Sequence, residues 1–173
     1  GKKEVIDSLE KGQHVFTFTG HPATCAVAIK IVEEVKKILP QIEEKGKYFL
    51  EQLNNISRDL STDFPNLVCQ PRGKGFMLGL ELRDSYKNYD KGISSVKPIA
   101  GLIGMRCIEY GIYMGFIGKQ NEIIRIQPPY LVTLEQIDQV VEVLKKVLTE
   151  YTNNEIPDST YKAYQKYALG LGN

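Results

Sequence analysis

Arg72-Gly73-Lys74-Gly75-Phe76-Met77-Leu78-Gly79-Leu80-Glu81-Leu82 is the stretch whose reading decides the fold. Phe76, Leu78, Leu80 and Leu82 alternate with Met77, Gly79 and Glu81, the period of two that sends one row of side chains to each face of a strand. Glycines before and inside such a strand point to a tight turn and to close approach of another backbone. A phosphate-loop reading fails, because no helix opening on Lys-Ser or Lys-Thr follows the glycines. The segment is a structural turn feeding a half-buried strand.

Working outward, Leu67-Val68-Cys69-Gln70 reads as a short strand, and Pro71 to Gly75 turns the chain. Upstream, Ala28, Ile31, Val32, Val35 and Ile38 recur at three- and four-residue steps from Pro22 to Leu39, with Lys30, Glu33, Glu34 and Lys37 on the other face. The first turns of this helix carry Ala23, Cys25, Ala26 and Val27, so that end is expected to be the more deeply buried. Pro40 punctuates and can open a second helix, whose stripe is Ile42, Phe49, Leu50, Leu53, Ile56 and Leu60. Downstream, residues 84–97 are polar and read as an exposed loop. Pro98 then opens a helix bearing Ile99, Leu102, Ile103, Cys107 and Tyr110, stopped by Gly111. Residues 112–116 and 123–127 read as two more strands joined by a turn over 118–121. Thr133 with Gln136 is a capping box for a final long helix, and Tyr161, Tyr164 and Tyr167 follow at helical spacing in a tail. The order implies an α+β domain, a small and largely antiparallel sheet covered by helices.

Composition narrows the function classes. The 173 residues suffice for one domain with a real core, and the hydrophobic and charged fractions, 42% and 25%, are ordinary for a globular chain. A net charge of +1 offers no field for nucleic acid or an anionic membrane. No apolar run is long enough to span a bilayer, and Gly1-Lys2-Lys3-Glu4 lacks the apolar core of a signal peptide. Cys25, Cys69 and Cys107 are odd in number and far apart, which reads as reduced, buried thiols in a cytoplasmic protein with no metal-ligand spacing. His14 and His21 are the only histidines, so a histidine-rich metal site is excluded.

Two further stretches bear on chemistry. Val15-Phe16-Thr17-Phe18-Thr19-Gly20-His21-Pro22 runs straight into the Ala-rich helix. A helix start leaves amide N–H groups unpaired and carries partial positive charge. With Thr17 and Thr19 just upstream it can cradle a phosphate, although a plain helix cap by Thr19 or His21 explains the same residues. In Ile124-Arg125-Ile126-Gln127-Pro128-Pro129-Tyr130, alternation sends Arg125 opposite to its isoleucine neighbours, and two prolines end the strand. A guanidinium suits two-pronged recognition of a carboxylate. A surface ion pair is the alternative, and spacing alone does not decide.

Taken together and in order, these motifs resemble the C-terminal part of the class III (omega) aminotransferases, pyridoxal-phosphate enzymes of fold type I. That family shows Thr-Phe-Gly-Gly-Asn-Pro opening an Ala-rich helix, then Arg-Gly-x-Gly-Leu-x-x-Gly, then Arg-x-x-Pro-Pro-Leu before a capped final helix. Here they stand as Thr17-Phe18-Thr19-Gly20-His21-Pro22, Arg72 to Gly79, and Arg125 to Tyr130, across about residues 14 to 150. Thr19, His21 and Tyr130 depart from the family's glycine, asparagine and leucine.

The resemblance implies roles. The threonine matching Thr17 reaches across a homodimer interface to the phosphate of the partner subunit's pyridoxal phosphate, and the arginine matching Arg125 holds the amino acid's α-carboxylate. The family's Schiff-base lysine lies further N-terminal to Thr17 than this chain extends, so Lys2 and Lys3 are not assigned to it and no catalytic residue is expected here. The chain is expected to be the small C-terminal domain of a longer enzyme, inactive alone. Its divisions are a connecting segment at 1–21, the small domain with its interdomain helix at 22–152, and a Tyr-rich tail at 153–173. The reaction implied moves an amino group from an ω-amino acid, with 4-aminobutyrate favoured, to a 2-oxo acid. Racemases and acetylornithine- or ornithine-type transaminases share the scaffold. A rival of another class is a non-catalytic interaction module that kept the fold and docks a partner through the tail.

Overall fold

The period-two stretch forms the second strand of an antiparallel sheet. In the computed structural model, which describes residues 2–10, 12–13, 17, 20–65, 67–84, 97–118 and 122–168, β1 (Leu67–Lys74) and β2 (Met77–Asp84) pair from Leu67 with Asp84 to Lys74 with Met77. The turn is therefore narrower than expected. Pro71, Arg72 and Gly73 belong to the strand, and only Gly75 and Phe76 lie between the two elements. Gly75 takes φ 55° at the first central position, where a two-residue hairpin favours glycine. Pro71 is tolerated because β1 is an edge strand.

The remaining strands are β3 (Lys97–Pro98), β4 (Gly115–Ile117) and β5 (Ile123–Ile126). The sheet path is β1-β2-β5-β4, all antiparallel, with β3 paired to the end of β2. Pro98 thus ends a strand instead of opening a helix. Helix α3 runs from Ala100 to Glu109 behind Ile99. Gly111, at φ 82°, ends it as expected: its N–H donates to Ile108 and that of Ile112 to Cys107, the double bond of a Schellman motif. Of the loop expected at residues 84–97, positions 85–96 lie outside the described residues. Strand β4 begins three residues later than the period suggested, and residues 119–121 of the turn after it are likewise outside.

Two compact units divide the chain, Gly1–Leu39 and Pro40–Asn173. The first holds a single helical turn, α1 (Lys3–Ile6), and the start of helix α2 (Pro22–Asp63). None of its described residues is buried; Val27, Ile29, Ile31 and Val32 are all exposed. That reverses the expectation of a deeply buried helix start. Small and apolar residues signal a face that can be covered, not what covers it. Helix α2 also runs unbroken through Pro40 where a restart was expected. A proline inside a helix removes one hydrogen bond and costs about 3 kcal/mol, but the apolar steps Val35, Ile38, Ile42 continue in phase across it. A restart would lose that phase.

In the second unit, Ile42, Gly46, Phe49, Leu53, Ile56 and Leu60 of α2 are buried at alternating steps of four and three. Gly46 fills the gap in the stripe because the hairpin turn comes against it: a Cβ there would lie 2.5 Å from the Gly75 carbonyl oxygen. This is the close backbone approach that the glycines announced. Leu78, Leu80 and Leu82 of β2 and Ile124 and Ile126 of β5 form the buried face of the sheet. Leu102, Ile103 and Cys107 of α3 and Ile137, Leu144, Val147 and Leu148 of α4 (Leu134–Thr152) complete the core. Thr133 and Gln136 form the expected capping box of α4.

The described part of the tail is a helix, α5 (Asp158–Ala168), packed on α3. The Tyr164 ring fills the space a Cβ on Gly101 would take, at 2.4 Å. The fully buried Thr160 hydroxyl donates to Glu109 at 2.7 Å. Arg106 joins Glu109 to Glu150 of α4, reaching the latter through Nε at 2.7 Å, and Tyr110 donates to Glu150 as well. Burial works against ionisation of Glu150, yet these two donors hold its carboxyl below the ordinary carboxylate range.

Candidate carboxylate site

Arg125 stands where alternation places it. Ile124 and Ile126 point into the core, and Arg125 is exposed on the opposite face of β5. Its pairing partner on β2 is Gly79 and its partner on β4 is Gly115. Directly opposed residues of an antiparallel pair put their Cβ atoms about 5 Å apart on one face, so neither residue directly opposite Arg125 sets a side chain beside it. Among the described residues its guanidinium has no hydrogen-bond or ion-pair partner. The packing of the described residues therefore leaves it unused, and none of them supplies the partner that the ion-pair alternative needs.

The chain beyond Arg125 is held firmly. After Pro128-Pro129, the N–H of Val132 donates to the Pro129 carbonyl at 3.0 Å. Val132 is buried, and its own carbonyl accepts from Lys45 of α2 at 2.7 Å. The capping box follows at once. Arg125 and this segment line a groove of about 640 Å³ with Tyr113, Met114 and Gly115 on one side and Gln136, Gln139 and Val140 of α4 on another. Its walls are largely apolar, with amide side chains at intervals, which suits a small carboxylate-bearing molecule.

Arg72, the first residue of the second motif, has another job. It pairs with Glu81 at 2.6 Å across the hairpin, and Arg83 pairs with the same carboxylate. Glu81 is only 7% exposed. Two arginines around one buried glutamate leave one positive charge in excess on the face that carries Arg125. Sequence reading did not single out Glu81 or Arg83. The available signal was an acidic residue at an outward strand position with an arginine two residues on, which any solvated strand also shows.

Thr17 belongs to the first unit, exposed in a turn. Gly20 follows at φ 75°, and the helix opens at Pro22. His21 is engaged by the Thr24 hydroxyl at 3.3 Å, while Thr19 lies outside the described residues. A hydroxyl and the free amides of a helix start are suitable donors to a phosphate, so this segment fits one contact to the phosphate of a pyridoxal cofactor. The cysteines divide: Cys69 and Cys107 are buried, and burial pushes both thiols up to about 12. Cys25 is exposed, which corrects the expectation that all three are buried. Among the described residues no helix is long and apolar enough to cross a membrane.

The family model described as Aminotransferase class-III matches residues 1–148. The chain belongs to that family. Members of the class-III aminotransferase family depend on pyridoxal phosphate. Among curated relatives, the leucine/methionine racemase of Thermococcus litoralis is 26% identical over 164 residues, covering 94% of this chain and 34% of the racemase. The acetylornithine aminotransferase of Caldanaerobacter subterraneus is 32% identical over 152 residues, 86% of this chain and 33% of the relative. Among solved structures, the ornithine aminotransferase of Toxoplasma gondii superposes with a TM-score of 0.60 at 25% identity, over 87% of this chain and 32% of that one. This class-III chain spans about a third of the length of these relatives. The fold is the small α+β domain of that class, and α5 lies beyond the matched residues.

Proposed function

We propose that this chain supplies the substrate-carboxylate contact of a pyridoxal-phosphate aminotransferase that moves an amino group from an ω-amino acid to a 2-oxo acid. The observation that carries the reading is Arg125: exposed, unpaired among the described residues, and flanked by glycine on both neighbouring strands. The cofactor, when bound, supplies the electron sink. This chain's part is to hold the substrate by its carboxylate and so orient the amino group, while Thr17 donates from one protomer of a homodimer to the cofactor phosphate of the other. The reacting lysine belongs to a large domain, and the small domain does not catalyse alone. The cytoplasm is the compartment we assign, on the widely spaced, unpaired cysteines.

The favoured donor is 4-aminobutyrate. Its support is the tomato gamma aminobutyrate transaminase 3, chloroplastic, 30% identical over 149 residues. Acetylornithine and ornithine are the competing donors, on the relatives that bear those names. A second reading, amino-acid racemisation on the same scaffold, is favoured by the 94% of this chain that aligns with the racemase. An amino-donor screen on the intact, cofactor-loaded enzyme tests both. Transfer of nitrogen from an ω-amino acid to a 2-oxo acid is the expected result. Inversion of an α-amino acid with no 2-oxo acid consumed would replace the proposal with the racemase.

A further inference from the structure

We propose that Gly115 is a specificity-determining residue: the side chain it lacks keeps open the path by which a carboxylate-bearing substrate reaches Arg125, and the substrate's carbon chain passes over the β4 edge of the sheet. The inference rests on Arg125 as the carboxylate contact and adds where the rest of the molecule lies.

The other glycines near the site have structural reasons. Gly111 adopts φ 82°, which side chains rarely tolerate. A Cβ on Gly104 would press on the Phe116 ring at 3.3 Å, and one on Gly79 would press on Ile123 at 3.2 Å. Gly115 has neither reason. It is not among the residues at positive φ, and a Cβ built on it meets nothing within 4 Å. Glycine inside a strand weakens that strand, because it gains no packing and loses more backbone freedom on folding. β4 is only three residues long, so it is poorly placed to tolerate that loss without a return.

The return is position. Gly115 pairs directly with Arg125, so any side chain there would stand on the same face beside the guanidinium's stem. On the opposite flank Ile123 already leans over Gly79, which leaves the β4 side as the open approach. β4 is also the edge of the sheet. Gly115 lines the groove together with Arg125, and Tyr113, two residues upstream and 84% exposed, lines the same groove. A molecule whose carboxylate lies on Arg125 and whose chain leaves over Gly115 runs toward Tyr113. The ligand class is an amino acid whose carboxylate lies on Arg125 and whose carbon chain needs the space that a side chain at position 115 would take.

The test is Gly115→Ala and Gly115→Val in the intact, cofactor-loaded enzyme, beside Arg125→Lys. Three quantities are read: melting temperature, kcat/KM for a carboxylate-bearing donor, and kcat/KM for an amine without a carboxylate. The expected result is an unchanged or higher melting temperature for both glycine variants. For the carboxylate donor, kcat/KM should fall roughly tenfold for Ala and further for Val, the scale on which a pocket discriminates by a methyl group. The amine should be affected much less. A lower melting temperature would show that the glycine is structural and overturn the proposal, as would equal losses for both donors. If Arg125→Lys impairs the carboxylate donor but Gly115→Val does not, the path is wrong and the carboxylate site stands. If Arg125→Lys itself spares that donor, the site reading fails and the path falls with it.

Discussion

Arg125→Lys is the substitution in which fold and function separate most cleanly. Arg125 is exposed, its two cross-strand neighbours are glycines, and no described residue pairs with it. Replacing it removes no hydrogen bond or ion pair made with a described residue, and a surface change of this kind moves stability by no more than about 0.5 kcal/mol. Lysine keeps the charge and most of the stem. It loses the planar fork that meets both carboxylate oxygens at once. If the fork holds a substrate carboxylate inside a closed, water-poor site, the loss follows the scale for truncating a buried charged pair, about 2–5 kcal/mol. At about 1.4 kcal/mol per factor of ten, that is roughly 30- to 4,000-fold in kcat/KM. The assay is steady-state transamination by the intact enzyme with a carboxylate-bearing donor and with an amine that has none, beside a thermal melt. The carboxylate donor should lose the full factor, the amine little, and the melt should not move. A lower melting temperature with equal losses for both donors would refute the carboxylate contact, because that pattern belongs to an ion pair within the folded domain.

Thr17→Ala should weaken cofactor binding by about 1.5–3 kcal/mol, the worth of a hydrogen bond to a charged group. In a mixed dimer with one lysine-dead subunit, the defect should appear in the partner's site; a defect confined to the mutated subunit's own site would sink the cross-interface role. Gly46→Ala places a Cβ 2.5 Å from the Gly75 carbonyl, backbone against backbone. It should cost about 1–3 kcal/mol, read as a lower midpoint in urea, and an unchanged midpoint would mean the hairpin is free to move away. For Glu150, Arg106 and Tyr110 lower the carboxyl from its ordinary value of 4.5 against the opposing effect of burial. A depressed carboxylate contributes stability that is fully present above its unfolded value and lost as pH falls through the folded one. The melting temperature should therefore drop below about pH 4.5, and Glu150→Gln should be less stable at neutral pH with a flatter acid limb; an identical pH slope in the variant would clear Glu150 of that role.

The local signals that proved legible are those whose physics is local. Alternation in Phe76 to Leu82 and around Arg125 is set by strand geometry, so the faces of β2 and β5 could be read directly. The capping box at Thr133 and the glycine stop at Gly111 rest on backbone hydrogen bonds within one or two turns of each residue. What the sequence could not supply depends on partners distant along the chain. Gly46 reads as a gap in a helix until Gly75 is seen against it, and Tyr164 reads as tail until its ring is found on Gly101. Glu81 looks like a solvated strand residue until Arg72 and Arg83 close on it. Composition foresaw a coverable face at the start of α2, but burial depends on what packs there, and within its own unit that helix stays exposed. The sequence by itself determined the α+β order of elements, the outward placement of Arg125 and the family. Tertiary structure decided that Gly79 and Gly115 flank that arginine, because register between strands is settled by the packing of the whole sheet and not by any one segment.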